Sequence, residues 1–191
     1  MRRPAPDRLG TGIQRRRTAP ARTHGRGHRP APRIRRLPPR QRLPHGRLAE
    51  PASLNTLGEA LRRHGDISRA LDHHRRGLEI CQAGRLGLPP DLLALYQAIT
   101  LRHLGRDYAA LDQWHQAETP LRQALALFEE SDAPALSGPT QLELGRALRH
   151  LDRRDEARTA VRAALHTLTT HHHPRQAEAS AQLRTIDNSR H

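Results

Sequence analysis

Apolar residues recur at helical spacing through most of the chain, and glycine, aspartate or proline interrupts them at intervals. Leu54, Leu57 and Leu61 fall three and four positions apart, which places them on one face of an α-helix. The same spacing continues to Ile186. The pattern predicts an all-α domain over residues 51–187, followed by a short disordered tail at 188–191.

The breaks in this pattern predict where the helices begin and end. The first helix is expected to begin near Pro51, with Ser53 as a cap, and to end at Gly65. Asp91 is expected to cap the third helix, after a loop over 82–90. Pro120 either interrupts a helix or begins a new one capped by Thr119. Residues 131–139 are predicted to form a loop, and a last short helix over 177–186 is predicted to cover the end of the domain.

The chain also resembles itself at a distance of forty residues. The two best copies and a weaker third share a Leu-Gly pair followed by an apolar residue and small residues: Leu104, Gly105, Tyr108, Ala117 and Ala124; Leu144, Gly145, Leu148, Ala157 and Ala164; and Leu57, Gly58, Leu61 and Ala70. Two registers are open, because Gly105 can be aligned with Gly65 or with Gly145. We favour the second, which puts seven extra residues between Ile80 and Leu101, since loop insertions cost little closure entropy.

In these residues the chain resembles the tetratricopeptide repeat (TPR) family, with units at 51–84, 98–131 and 138–171. Asp112 and Asp152 stand where the family has a turn glycine, and no unit has its closing proline. The resemblance implies a short right-handed α-solenoid of about three helix pairs plus a C-terminal capping helix. It also implies a non-catalytic module for protein–protein interaction. The forty-residue spacing is similar to kinesin light chains and to the C-terminal arrays of bacterial antibiotic-pathway and signalling regulators, which implies a fragment of such a regulator.

The resemblance further implies a concave face lined by the first helix of each unit. Eight residues are candidates for binding a peptide there: Asn55, Glu59, Arg62, Arg102, Arg106, Glu143, Arg146 and Arg149. Basic residues outnumber acidic ones in this set, which favours an acidic partner. Small residues such as Ala117 and Ala157 are expected at helix contacts, with Arg158 facing solvent.

The net charge of +14 is concentrated in residues 1–50, which hold 15 Arg, eight Pro and only two acidic residues. Such a segment is predicted to be disordered, because it cannot bury enough apolar area. It is a misassigned start of translation, a passive linker, or an arm that contacts the phosphates of a nucleic acid. The last reading makes a nucleic-acid-binding accessory protein the alternative function. The chain has no lysine, which GC-rich codon usage explains as well as selection does.

Little in the sequence points to chemistry. Cys81 and His74 are expected in the core, and the run at 171–173 is interpreted as loop histidines rather than a metal site. Trp114 is either core filler or an exposed anchor for a partner. We predict no enzyme, no cofactor and no membrane span, and a cytoplasmic location. The first helix pair lacks an obvious polar cap, which favours a homodimer or dependence on a segment upstream.

Overall fold

The computed structural model describes residues 45–84 and 86–188. The Arg-rich segment predicted to be disordered lies outside these residues up to position 44, as does the tail from 189. Every regular element within the described ranges is a helix. These helices are α1 (His45–His64), α2 (Ile67–Gln82), α3 (Pro90–Ala110), α4 (Trp114–Glu130), α5 (Pro134–His150), α6 (Arg154–Thr170) and α7 (Gln176–Asn188).

The helices pack as successive pairs. α1 lies against α2, α3 against α4, and α5 against α6, while α7 packs on α6 at the end of the stack. Each pair also contacts the next, α2 on α3 and α4 on α5, and the first helices of neighbouring pairs touch one another. The all-α solenoid of three helix pairs with a C-terminal helix is therefore confirmed.

Five of the connections use one residue in the left-handed region. Their φ angles are 92° at Gly65, 57° at Asp112, 48° at Asp132, 60° at Asp152 and 50° at His172. In each case the next backbone N–H donates to a carbonyl five residues earlier, at 2.8–3.0 Å, as in a Schellman turn. Aspartate tolerates this conformation better than most side chains do, so it can stand at 112 and 152, where the family has a turn glycine.

Small residues face large ones at the centre of each pair. A Cβ added at Gly105 would lie 2.5 Å from Cγ of Leu121, and one at Gly145 would overlap Val161. The buried glycine is 16 residues before its large neighbour in both pairs, and the same separation joins Gly58 to His74 in the first. The register that aligns Gly105 with Gly145 is therefore confirmed.

The extra residues of that register lie where they were expected. α3 is 21 residues long and α5 is 17, and the connection from α2 to α3 is longer than that from α4 to α5. The four alanines predicted at helix contacts, Ala117, Ala124, Ala157 and Ala164, are fully buried.

Four predictions that depend on the positions of prolines are wrong. α1 begins at His45 and runs through Pro51, α3 begins at Pro90 with no side-chain cap from Asp91, and α4 is continuous through Pro120. α5 begins at Pro134, so the loop predicted over 131–139 is only three residues long. Proline costs nothing at the first position of a helix, where its missing N–H has no partner. Pro120 is buried, and packing offsets the hydrogen bond that it removes.

Arg158 does not face solvent, so that prediction is wrong. The residue is 9% exposed, and its Nε donates to Oδ1 of Asp187 on α7 at 2.7 Å. A second nitrogen donates to Asp155 at 2.7 Å. The helical period of α6 placed this side chain correctly on the outside of its own pair, but α7 covers it.

Cys81 and His74 are buried, as predicted. None of the helices in the described part of the chain is long and apolar enough to cross a membrane.

Candidate functional site

The first helix of each pair, together with the start of α7, contributes to one surface, which we call the A-helix face. It consists of Glu59 and Arg62 on α1, Arg102, His103 and Arg106 on α3, Glu143 on α5, and Arg175 and Glu178 at α7. These side chains stand side by side because the odd-numbered helices touch along the stack.

Alternating charges connect four elements along this face. Glu59 lies 3.2 Å from Arg106, and Arg106 lies 3.6 Å from Glu143. Glu143 is then 2.9 Å from Arg175, which also pairs with Glu178 at 2.7 Å. We call this series, from Glu59 to Glu178, the ion-pair ladder. It ties α1, α3, α5 and α7 together.

Glu59 is the most heavily contacted acid of the ladder. Burial alone would raise its pKa, but hydrogen bonds from Arg62 and Arg63 and the nearby charge of Arg106 lower the pKa to about 2. Arg62 donates to both carboxylate oxygens, at 2.8 and 3.0 Å. Glu59 therefore stays ionised and neutralises part of the positive charge around it.

Arg102 carries a buried donor, its Nε, that is unpaired within the described residues. Burial lowers the pKa of its guanidinium, and the charge of Arg106 lowers it further. Guanidinium groups bind carboxylates through two parallel hydrogen bonds, so a carboxylate from outside would satisfy this group.

The remaining predicted residues occupy different surroundings. Asn55 is buried behind the face, where its amide donates to Oγ1 of Thr100 at 2.9 Å and joins α1 to α3. The guanidinium of Arg146 lies 5.7 Å from the ring centre of Trp114. Arg149 lies one residue before His150, and its Nε is buried without a partner among the described residues.

Trp114 packs against the core, as one of the two interpretations of this residue predicts. Its ring is half-buried. It stacks on His150, with the ring centres 3.8 Å apart and the planes 6° from parallel. Burial, followed by the charges of Arg149 and Arg146, lowers the pKa of His150. Arg146 is therefore directed to an aromatic pair at the edge of the face.

Sequence reasoning missed His103, Arg175 and Glu178. The helix after 174 was interpreted only as a cover for the stack, so its charged residues were not considered. Treating α7 as the first helix of a further unit would have placed Arg175 and Glu178 beside Glu143. For His103, burial and then the charges of His74, Arg102 and Arg106 together lower the pKa to about 3.

A buried polar cluster lies directly beneath the A-helix face. The two ring nitrogens of His74 are 2.5 Å from Oδ2 of Asp107 and 3.3 Å from the carbonyl oxygen of Asn55. His74 also stacks on His103 at 4.8 Å between ring centres. His74 and Asp107 are fully buried, so the cluster joins α1, α2 and α3 and is closed to a substrate.

The three histidines at 171–173 form the turn between α6 and α7. His173 accepts a hydrogen bond from the backbone N–H of Arg175 at 3.1 Å. Across the described residues, no group of three or more His, Cys, Asp or Glu side chains could hold a metal ion.

Comparison with known proteins agrees with this architecture. The family model of the tetratricopeptide repeat matches residues 52–83 and 98–131. No curated protein sequence matches the chain.

Among solved structures, the apo form of RapI is similar with a TM-score of 0.66 and 11% identity, over 75% of this chain and 38% of that one. A putative kinesin light chain from Podosopora anserina with nearly identical TPR-like repeats has a TM-score of 0.59 and 19% identity. That match covers 71% of this chain and 64% of the kinesin light chain, and a point variant of the same protein gives the same values.

The chain thus spans less than two thirds of either neighbour, and at these identities the likeness concerns the fold. The third helix pair lies outside the two matched segments but repeats their glycine contact and their left-handed turn. The chain therefore contains tetratricopeptide repeats at 52–83 and 98–131, and the helix pair after them continues the same packing.

Proposed function

We propose that the chain is a non-catalytic interaction module whose A-helix face binds an acidic segment of a partner protein. An excess of positive charge on this face supports the proposal. Six arginines lie on it or at its edge, at 62, 102, 106, 146, 149 and 175, against three glutamates, at 59, 143 and 178.

The unsatisfied Nε of Arg102 is the observation that carries the proposal. A buried charged donor without a partner is costly, and a ligand carboxylate that pairs with it removes that cost. The neighbouring glutamates do not serve this purpose, because Glu59 pairs with Arg62 and Arg106, and Glu143 pairs with Arg106 and Arg175.

Fluorescence anisotropy with a labelled hexaglutamate peptide tests this proposal. We expect saturable binding by the full chain that weakens as salt is added. Arg102→Gln should weaken binding by at least tenfold, since it removes a charge-assisted contact in a site shielded from water.

The matched control is Arg162→Gln. Arg162 is exposed on α6, away from the A-helix face, so this variant removes the same charge from the chain. Both variants retain the Arg-rich segment at 1–50, so any attraction of the acidic peptide to that segment is the same in the two. Equal affinity of the two variants would refute the A-helix face as the binding site.

The alternative is binding to nucleic acid through the Arg-rich segment. Its support is the charge of that segment, 15 Arg against two acidic residues in the first 50 positions. Filter binding to duplex DNA over a salt series tests it, comparing the full chain with a variant that lacks residues 1–44. This function requires tight, salt-dependent binding by the full chain only, and equal, weak binding by both removes it.

The setting of the module is also part of the proposal. We expect it to act within a cytoplasmic regulatory system, which the resemblance of the repeat spacing to bacterial regulators supports. Affinity purification with the full chain, followed by identification of retained proteins, tests this expectation. Partners with no regulatory role would contradict it.

A further inference from the structure

The three helix pairs differ in how their first helices are covered. Position 7 of each repeat is a leucine: Leu57 in α1, Leu104 in α3 and Leu144 in α5. Leu104 and Leu144 are 4% and 5% exposed, whereas Leu57 is 46% exposed. The difference follows from the stack, because α2 packs on α3 and α4 packs on α5, while no described helix precedes α1.

Leu57 lies at the centre of a continuous stripe on α1. We call this stripe the α1 end face; it comprises Glu50, Ser53, Leu54, Leu57, Ala60, Leu61 and His64. These residues are spaced by three or four, so they share one side of the helix. None of the seven is fully buried.

The opposite end of the stack has no comparable apolar surface within the described residues. α7 closes that end with Ile186 and Ala179 turned inward. Only Leu57 and Leu111 are large hydrophobic residues exposed in the described part of the chain. A head-to-tail stack, in which α7 of one copy covers α1 of the next, therefore offers Leu57 little to bury against.

The α1 end face is instead complementary to itself. Glu50 and His64 lie seven residues before and after Leu57, one at each end of the stripe. When two α1 helices cross antiparallel at Leu57, each Glu50 meets His64 of the second copy. Ser53 and Ala60 flank the crossing, and their small side chains let the two helices approach closely.

We propose that the chain forms a symmetric homodimer through this face, α1 against α1, with the two-fold axis passing beside Leu57. Each copy then provides the apolar cover that α2 and α4 provide inside the stack. Such an isologous contact uses the same patch on both copies and closes after two. It does not depend on the proposed acidic ligand.

Sedimentation equilibrium of the full chain tests the proposal at roughly 1 to 300 µM, a range that brackets the weak affinities of small interfaces. We expect a monomer–dimer equilibrium. Leu57→Glu should weaken the dimer by at least tenfold, because it buries two carboxylates at the axis.

Leu111→Glu is the matched control, since Leu111 is 36% exposed and lies directly after α3, outside the end face. It should leave the equilibrium unchanged, and circular dichroism verifies the helix content of both variants. A monomer throughout the concentration range, or equal effects of the two variants, would overturn the proposal.

Two further measurements distinguish the antiparallel crossing from other contacts. Glu50→Arg should weaken the dimer, because it removes the acceptor that faces His64, and adding His64→Glu should restore it, because the double variant places opposite charges across the contact. Leu57→Cys should give a disulfide-linked dimer on oxidation, and Leu111→Cys should not, because position 111 lies outside the proposed contact. The native Cys81 is buried and therefore does not interfere. Failure of both the restoration and the cross-link contradicts this geometry.

Discussion

The imidazole of His74 lies against the α carbon of Gly58, so closely that even a methyl group at position 58 would overlap the ring. Leu121 and Val161 occupy the same place beside Gly105 and Gly145. A histidine in this position needs polar partners, which Asp107 and the backbone of Asn55 provide. In all three pairs, therefore, a large side chain packs against the backbone of a glycine. In the first pair that side chain is polar, and in the other two it is apolar.

Two buried glycines should respond in opposite ways to alanine. A Cβ at Gly105 would lie 2.5 Å from Leu121, so Gly105→Ala should lower the free energy of unfolding by about 1–3 kcal/mol through overpacking. A Cβ at Gly77 would meet Asn55 and Thr100 at 3.5 Å, an ordinary contact. Gly77→Ala should therefore raise the free energy of unfolding by about 0.5–1 kcal/mol, because glycine is costly inside a helix. Urea denaturation of both variants measures this, and equal signs would contradict the packing described.

Enlarging a buried alanine should destabilise the third pair. Ala157 is fully buried beside Gly145, so Ala157→Leu should cost about 1–3 kcal/mol. Arg162→Leu, on the exposed side of α6, should change stability by less than about 0.5 kcal/mol. Thermal midpoints of the two variants provide the comparison.

Arg158→Leu provides a separate test of the contact between α6 and α7. It should lower the thermal midpoint more than Arg162→Leu does, because Arg158 is bound to both Asp155 and Asp187. If the two arginine variants behave alike, the ion pair with Asp187 does not stabilise the end of the stack.

Glu59 should make the stack sensitive to strong acid. Its pKa is lowered to about 2 in the folded chain from an ordinary value of 4.5, so its contribution is complete above pH 4.5 and is lost as the pH falls toward 2. Glu59→Gln should therefore flatten the curve of thermal midpoint against pH in this window. Glu129→Gln, an exposed carboxylate on α4, should leave the slope as it is. A slope unchanged by Glu59→Gln would contradict the network around it.

His103 should act at higher pH. Burial lowers its pKa to about 3 from 6.5, so the unfolded chain takes up this proton first as the pH falls. The stability that neutral His103 contributes is complete above pH 6.5 and decreases toward pH 3, by up to about 1.4 kcal/mol per pH unit. His103→Phe keeps a ring against His74 and removes the titration. Between pH 6.5 and 4.5, where Glu59 does not yet titrate, the thermal midpoint of this variant should fall less than that of the unchanged protein.

Local features of the sequence predicted most of the fold. Helical spacing, the turn aspartates at 112 and 152, and the small residues at 117 and 157 depend on neighbours within one helix pair, so the pattern carries them. The cover over Arg158 includes Asp187, 29 residues away in sequence, and Arg175 pairs with Glu143, 32 residues away. The prediction at Pro120 is wrong because the cost of proline inside a helix is local, whereas the packing that offsets it depends on distant residues. Pro134 has no such cost, because it begins α5.

The candidate site was predicted only in part for the same reason. Helical period and repeat register placed Glu59, Arg62, Arg102, Arg106 and Glu143 on neighbouring helices. The period does not say which carboxylate each arginine takes, or that Asn55 turns inward to Thr100. Those choices depend on distances between helices, which repeat spacing alone does not provide.

The ion-pair ladder competes with the proposed acidic segment for the arginines of the A-helix face. An incoming acidic segment that takes Arg106 must displace Glu59 or Glu143, so the net affinity is a difference between two similar interactions. Each displaced carboxylate also removes one ion pair between neighbouring elements. The ion pairs that join α1, α3, α5 and the start of α7 are therefore the ones that the proposed binding would break, so an occupied face should hold these elements together less tightly.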